Sequence, residues 1–219
     1  MYSLTEENYL KNIYLLANDN GETNLNELST QLKISMPTVN SMVKKLKEKR
    51  LLIYEKYKPV KLTSTGKKAA ALIVRKHRLT EMFLVEKMNF GWEEVHDIAE
   101  QVEHVKSPSF FSKMDELLGF PTVDPHGSPI PNINGEMRNE KFKSLNEFSL
   151  NEVVMIKAIN HSSEAFLKFL NERDLKLGSV LTIEHIETFD QSYLVSYGNQ
   201  KNVYLSLAVC ERLLVKKMN

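Results

Sequence analysis

A change of hydrophobic period after Arg50 constrains the fold of this chain more than any other feature. Before it, apolar residues recur at helical intervals in three segments. The first opens on a capping box at residues 3–6, the second spans 25–32, and the third begins at Ser35 with Pro37 in its first turn. After it, residues 52–55 and 60–63 alternate as a two-stranded hairpin would. This order predicts a winged helix-turn-helix.

The rest of the chain divides into a predicted helical part and a part with predicted short strands. Helices are predicted over 64–88, 92–105 and 108–118, followed by a loop over 120–131 that holds four of the seven prolines. Beyond it, short strands are predicted at 153–159, 180–185, 193–197 and 203–207, with one helix at 163–171, which suggests a small closed barrel. The predicted class is mainly α with small β: a winged helix-turn-helix domain (1–73), a helical domain (74–144) and an SH3-like β barrel (145–219).

Composition and the absence of long apolar runs indicate the cellular location of the protein. The single cysteine, Cys210, excludes an intramolecular disulfide. The first residues lack the basic and apolar regions of a secretory signal, and no run approaches the roughly 18 apolar residues that span a bilayer. We therefore expect a cytoplasmic protein with no membrane partner.

Charge is distributed unevenly along a chain whose net charge is only +1. Up to Thr80 there are 15 Lys and Arg against 7 Asp and Glu, a net +8, and the remainder has 14 against 21, a net −7. A basic first module suggests a polyanion partner, because phosphate neutralisation supplies most non-specific affinity. On charge alone, a solvated surface remains an equal alternative.

The third helix has the features of a DNA-recognition helix. In a helix-turn-helix, the N-terminal residues of the second helix of the motif meet the base edges. Asn40 can bond a base edge, small hydroxyl residues suit phosphates or the thymine methyl, and lysines follow along the helix and in the wing. The alternative is a helical bundle with a polar face. The predicted DNA-binding residues are Ser35, Pro37, Thr38, Asn40, Ser41, Lys44, Lys45, Lys56 and Lys58, with Lys47 and Lys61 nearby.

Histidine and glutamate recur at ligand spacing on two consecutive predicted helices. His77 and Glu81 lie one turn apart, and the next helix carries His96, Glu100, Glu103 and His104 on a face distinct from its apolar one. Imidazole and carboxylate together suit divalent Mn, Fe, Co or Zn, whereas a single pair is more often a surface ion pair. Further ligand types are Asp124 and His126 in the loop and Asn8 on the first helix.

The sequence resembles the diphtheria-toxin-repressor family of iron- and manganese-dependent transcriptional regulators in five segments, which occur in the same order along the chain. They are residues 5–10, 35–39, 62–66, 75–79 and 95–105. The resemblance covers the whole chain and implies a three-domain regulator. Residues 74–144 would form its helical dimerisation and metal-binding domain, and its last domain would be SH3-like (FeoA-like). The resemblance implies one metal site at His77, Glu81 and His96, completed from the SH3-like domain, for which Glu164 is the candidate. It implies a second at Glu100, Glu103 and His104 with Asn8, and loop ligands at Asp124 and His126.

Departures from the family bear on the metal. Iron-responsive members place Met and Cys where this chain has Asn8 and Glu100, and oxygen donors favour a harder ion, so Mn(II) is expected over Fe(II). Lys11 stands where two-domain manganese regulators carry an acidic ligand, which puts their binuclear arrangement in doubt.

The expected function is therefore metal-dependent repression. Metal would join the first helix to the helix carrying Glu100, Glu103 and His104, so that a homodimer binds a palindromic operator and controls metal-uptake genes. A metal-dependent hydrolase using the same residues is the alternative, although the chain has no H-E-x-x-H run and no spare general base; we expect no enzyme and no small organic substrate. A regulator that senses an organic ligand would instead need an apolar pocket.

Overall fold

The structure is a computed structural model that describes residues 2–137 and 140–218. The chain forms two compact units. Unit 1 comprises the residues up to Thr80, Asp97–Thr122 and the segment that begins at Ile130; unit 2 comprises Glu81–His96, Val123–Pro129 and the chain after residue 138. Within the described ranges, none of the helices has the length and apolar character needed to cross a membrane.

Unit 1 begins with three helices whose ends are set by local hydrogen bonds. The predicted capping box is confirmed at Ser3 and Glu6: the Ser3 hydroxyl accepts from the Glu6 amide, and the Glu6 carboxylate accepts from the Ser3 amide. The tight turn before the third helix uses Lys33 in the left-handed conformation (φ 55°), and Pro37 lies in the first turn of that helix, as predicted. The helices are α1 (Leu4–Leu15), α2 (Leu25–Leu32) and α3 (Met36–Glu48).

The wing is a three-stranded antiparallel sheet rather than a two-stranded hairpin. Its strands β1 (Glu22–Thr23), β2 (Leu52–Ile53) and β3 (Val60–Leu62) lie in the order β1-β3-β2. The strand that the alternating pattern did not predict, β1, is only two residues long, too short to show a period. Residues of the three helices and the wing form one buried core, which includes Leu10, Leu28, Val39 and Val60.

Helix α4 (Ser64–Met88) ends where predicted, with Asn89 at a positive φ of 58°. The next helix begins later than predicted, because the Glu94 amide donates to the Gly91 carbonyl and closes a turn in place of a helical start. It is α5 (His96–Val102), followed in unit 1 by α6 (Pro108–Leu117), which is capped by the Ser107 hydroxyl.

Unit 2 contains an antiparallel six-stranded sheet in the order β4-β9-β5-β6-β7-β8. The prediction of a closed barrel is wrong: within the described ranges, the edge strands β4 and β8 do not pair with each other. Closure is unnecessary because an amphipathic helix, α7 (Glu164–Asn171), buries Phe166, Leu167 and Leu170 in the same core as the strands. The strands are β4 (Lys143–Ser144), β5 (Val153–Ile159), β6 (Val180–Ile186), β7 (Tyr193–Tyr197), β8 (Gln200–Leu205) and β9 (Leu213–Lys217), with a short helix α8 (Leu207–Cys210).

Candidate metal centres and DNA-binding surface

Three buried side chains in unit 2 bring metal-ligand atoms together. Glu81 from α4 meets Asp124 and His126 from the loop, and one ligand atom of each lies within 4.8 Å of the other two. The three residues are 3%, 4% and 5% exposed. The sequence indicated each residue as a ligand type, but it did not group Glu81 with the loop pair.

The loop presents these ligands through a closed turn. The Asp124 Oδ1 accepts from the backbone amides of His126 (2.8 Å) and Ser128 (2.9 Å), and the Ser128 carbonyl accepts from the Asp124 amide. Gly127 has a φ of +85°, and a Cβ there would lie 2.2 Å from the Lys157 carbonyl oxygen of β5. Only glycine therefore allows this turn to dock against β5, where the Ile159 amide donates to the His126 carbonyl.

The His126 ring is oriented by a backbone acceptor. Its Nε2 lies 2.8 Å from the Trp92 carbonyl oxygen, and its ring stacks on the Trp92 ring at 5.9 Å between centroids. A carbonyl can only accept, so Nε2 carries the proton and, in the neutral ring, Nδ1 keeps its lone pair. That lone-pair atom lies 3.9 Å from the Glu81 Oε2. Metal-binding histidines characteristically donate their other N–H to such an acceptor.

The donor set fits a divalent transition metal. Two carboxylates and one imidazole, all buried, suit Mn(II), Fe(II) or Zn(II), because buried carboxylates require a compensating cation or hydrogen bonds. His96 adds a fourth donor residue, which is the second imidazole of the set. Its Nδ1 lies 3.4 Å from the Glu81 Oε1, and its side chain is 62% exposed. It therefore stands at the rim of this set.

Unit 1 holds a second group of ligand types, and a lysine lies within it. His77, Glu100 and Glu103 bring ligand atoms within 4.8 Å of one another, and the His77 Nδ1 lies 2.7 Å from the Glu103 Oε2. Lys11 of α1 bonds Glu100, and its Nζ lies 2.8 and 2.9 Å from the two Glu103 oxygens. Glu103 is completely buried.

Helix α1 contributes further polar groups beside His104. The His104 Nδ1 lies 2.7 Å from the Glu7 Oε2, and its Nε2 lies 3.6 Å from the Glu103 Oε1. The Asn8 Oδ1 is buried, and the part of the chain that the structure describes offers it no hydrogen-bond donor. Glu7 was not among the predicted site residues, although its position one helical turn before Lys11 was a usable signal.

Glu164, the proposed ligand from the last domain, lies at the exposed start of α7. Its carboxylate bonds Lys168 at 2.6 Å, and this ion pair holds the pKa of Glu164 below its usual value. None of the ligand groups found among residues 2–137 and 140–218 includes it. Its role stays a prediction.

The predicted recognition helix displays its polar residues. The Tyr54 hydroxyl donates to the Asn40 Oδ1 at 3.2 Å, which leaves the amide nitrogen as the group that Asn40 can direct outward. Lys45 lies 3.1 Å from the Glu6 carboxylate, and Lys56 lies over the exposed Tyr57 ring. The exposed predicted residues are Ser35, Pro37, Thr38, Ser41, Lys44, Lys45, Lys56 and Lys58.

Three ranges of the chain match known protein families. Residues 1–60 match the family described as "Iron dependent repressor, N-terminal DNA binding domain", residues 63–132 match "Iron dependent repressor, metal binding and dimerisation domain", and residues 143–217 match the FeoA domain. The HTH-type transcriptional regulator MntR of Bacillus pumilus is 32% identical over 114 residues, which are 52% of this chain and 78% of that protein. The chain belongs to the diphtheria-toxin-repressor family. The family and the three-domain fold class predicted from the sequence are thereby confirmed.

Other members of the family resemble this chain over different spans. The iron-dependent repressor IdeR of Mycobacterium leprae is 37% identical over 130 residues, 59% of this chain and 56% of that protein. The chain thus spans about half the length of the first curated relatives it matches. Among solved structures, a "Manganese-dependent transcriptional repressor complex with manganese" has a TM-score of 0.88 at 28% identity and covers 97% of this chain and 100% of its own. ScaR with bound Zn2+ has a TM-score of 0.79 at 30% identity, over 97% and 99%.

Proposed function

We propose that this chain is a metal-dependent transcriptional repressor that binds palindromic operator DNA as a homodimer when Mn(II), or alternatively Fe(II), is bound, and controls metal-uptake genes. The observation that carries the proposal is the buried Glu81, Asp124 and His126 set, with the His126 Nδ1 oriented toward Glu81 by the Trp92 carbonyl. The domains matched and the manganese-dependent repressor among the similar structures support it. The cytoplasmic location follows, because operator DNA lies there.

In this proposal, the unit 2 set of Glu81, Asp124 and His126, with His96 at its rim, binds the effector ion. Two carboxylates contribute oxygen donors there, which favours Mn(II). A bound ion would add a positive charge between these two buried carboxylates. A second set expected from the sequence, Asn8, Glu100, Glu103 and His104, stays a prediction, because the Lys11 ammonium already bonds Glu100 and Glu103. His77 and Glu164 stay predictions as metal ligands.

Helix α1 connects the proposed ligands of unit 1 to the recognition helix. Glu6 bonds Lys49, which follows α3, at 2.6 Å, and Lys45 on α3 lies within 3.1 Å of it. On the same helix, Glu7 contacts His104, and Lys11 contacts Glu100 and Glu103. A shift of α1 would therefore alter the position of α3, and the state that binds DNA would be selected through this helix.

On the operator, Asn40 would bond a base edge through its amide nitrogen, held by Tyr54. Lys44, Lys56 and Lys58 would neutralise phosphates, so affinity would fall steeply with salt. A twofold dimer would read half-sites one helical turn apart, about 34 Å.

The test begins by selecting duplexes from a randomised DNA library with the full chain and Mn(II). Binding of a selected duplex is then measured by fluorescence anisotropy at fixed salt, with chelator-stripped protein and added Mn(II), Fe(II) under anaerobic conditions, or Zn(II). We expect Mn(II) to raise affinity at least about tenfold, within the usual range of allosteric coupling. Glu81→Gln should abolish this response, whereas Glu152→Gln, at an exposed carboxylate paired with Lys217, should keep it. Affinity indifferent to all three metals would contradict the proposal.

The hydrolase alternative receives no support from the matched families, which are described as repressors. Metal-dependent turnover of a phosphoester, lost in Glu100→Ala, would be needed to restore it.

A further inference from the structure

Lys11 occupies an unusual environment for a lysine. Its side chain is only 5% exposed, and both of its partners are carboxylates that belong to a group with metal-ligand geometry, Glu100 and Glu103. Lysine is rarely buried to this extent unless it is paired. The amine lies where these two carboxylates converge, which is the position that a cation shared by them would take.

Lys11 supplies one positive charge to the two carboxylates of this group. The ammonium is a compact point charge with three donors. It donates to Glu100 and to the Glu103 Oε2, and it lies 2.8 Å from the Glu103 Oε1, which receives no hydrogen bond from the described residues. The Glu103 Oε2 also lies 2.7 Å from the His77 Nδ1. A divalent ion placed among His77, Glu100 and Glu103 would lie against a like charge that cannot withdraw to solvent without breaking its buried ion pair with Glu103 and its partly exposed pair with Glu100. These residues therefore do not fit a metal while Lys11 is present.

We infer that the Lys11 ammonium is the resident cation of the Glu100 and Glu103 pair and takes the place of a metal ion at the His77, Glu100 and Glu103 group. It holds α1 against residues 100–103 with no metal bound. In this chain the metal response then arises from the other ligands, foremost the unit 2 set. Only that last consequence rests on the proposed function; the identity of the cation at Glu100 and Glu103 does not.

Counting bound metal tests the inference directly. Mn(II) is titrated into the chelator-stripped full chain, and the number bound per chain is measured by isothermal titration calorimetry and by the loss of the free-ion electron paramagnetic resonance signal. Lys11→Glu replaces the ammonium by a carboxylate, and we expect it to bind one more Mn(II) per chain than the natural sequence. Lys49→Glu is the matched control, because Lys49 also bonds a buried glutamate of α1, Glu6, but contacts no ligand group; its count should not change. Equal counts for the natural chain and Lys11→Glu would overturn the inference.

A second measurement covers the case in which Lys11→Glu does not fold. The double variant Lys11→Met with Glu103→Gln removes the ammonium and its fully buried partner charge together. In EDTA, we expect amide hydrogen exchange over residues 97–104 to accelerate at least about tenfold relative to the natural chain, since local opening is no longer opposed by this ion pair. Lys113→Met, which breaks only the exposed pair with Glu116, should leave exchange there unchanged. Unchanged exchange in the double variant would overturn the inference.

The same titration separates this inference from the proposed function. Glu81→Gln should lower the count of the natural chain by one if the unit 2 set binds metal. Failure of that loss would contradict the proposed function, while the gain in Lys11→Glu would still support the role of Lys11.

Discussion

Replacing Glu6 by glutamine should lower the stability of unit 1 in a pH-dependent manner. Glu6 is 1% exposed, and its carboxylate accepts from the Ser3 amide and bonds Lys49 at 2.6 Å and Lys45 at 3.1 Å. The hydrogen bond from Lys49 is the main reason that the pKa of Glu6 is lowered from 4.5 to about 2, against an opposing effect of desolvation. Glutamine keeps the shape of the side chain but cannot form the ion pairs.

The size of the effect follows from that pKa. A difference between 4.5 and about 2 corresponds to at most about 3 kcal/mol of stability at neutral pH. Both lysines are about half exposed, so solvent screening reduces the expected loss in Glu6→Gln to about 1–2 kcal/mol. Because the pKa is depressed in the folded state, this stability is present above pH 4.5 and is lost as the pH falls toward 2.

The prediction is tested by measuring the free energy of unfolding in urea at several pH values from 7 to 3, in EDTA. The free energy of unfolding of the natural chain should exceed that of Glu6→Gln by the full amount at pH 7, and the gap should narrow below pH 4.5. Glu152→Gln is the control: the Glu152 pKa is also lowered, chiefly by Lys217, but its exposed ion pair should make no measurable contribution. A gap that stays constant from pH 7 to pH 3 would refute the reasoning.

Three further substitutions or reagents probe other parts of the molecule. Gly127→Ala should reduce Mn(II) affinity in calorimetry and cost at least about 1 kcal/mol of stability, because φ is +85° and the new Cβ would meet the Lys157 carbonyl. Gly178→Ala is the control for the cost of the positive φ alone, since Gly178 has a φ of +84° and open space around it. Equal effects of the two substitutions would contradict the docking of the loop against β5. Burial raises the pKa of the Cys210 thiol to about 12, so iodoacetamide at pH 8 should modify the chain only after unfolding, and rapid modification of the native protein would show the site to be open. Tyr54→Phe should weaken binding of the selected duplex by roughly 1 kcal/mol, a typical net value for one hydrogen bond, without changing the Mn(II) count; unaltered DNA affinity would mean that Asn40 does not depend on Tyr54.

Features that depend on local chemistry were predictable from the sequence. The capping box at Ser3 and Glu6 and the position of Pro37 each depend on hydrogen bonds or sterics within a few residues. The helical period likewise predicted α1 to α4, and the types and spacings of His77, Glu81, His96, Glu100, Glu103 and His104 indicated metal ligands before any contact was known.

Short strands and edge contacts were not predictable in the same way. β1 and β4 have two residues each, and two residues contain no period. The open edge of the unit 2 sheet depends on how α7 covers its core, which alternation along single strands does not encode.

The sequence by itself determined the order of the elements, the family and the chemical types of the ligands, since these follow from periodicity, local capping and residue identity. Only the tertiary structure decided which ligands meet. Glu81 joins Asp124 and His126, the Trp92 carbonyl orients the His126 ring, and Lys11 bonds carboxylates 89 and 92 positions away. The reason is physical: spacing along one helix sets which side chains share a face, but a buried charge obtains its partner from whichever element packs against that face.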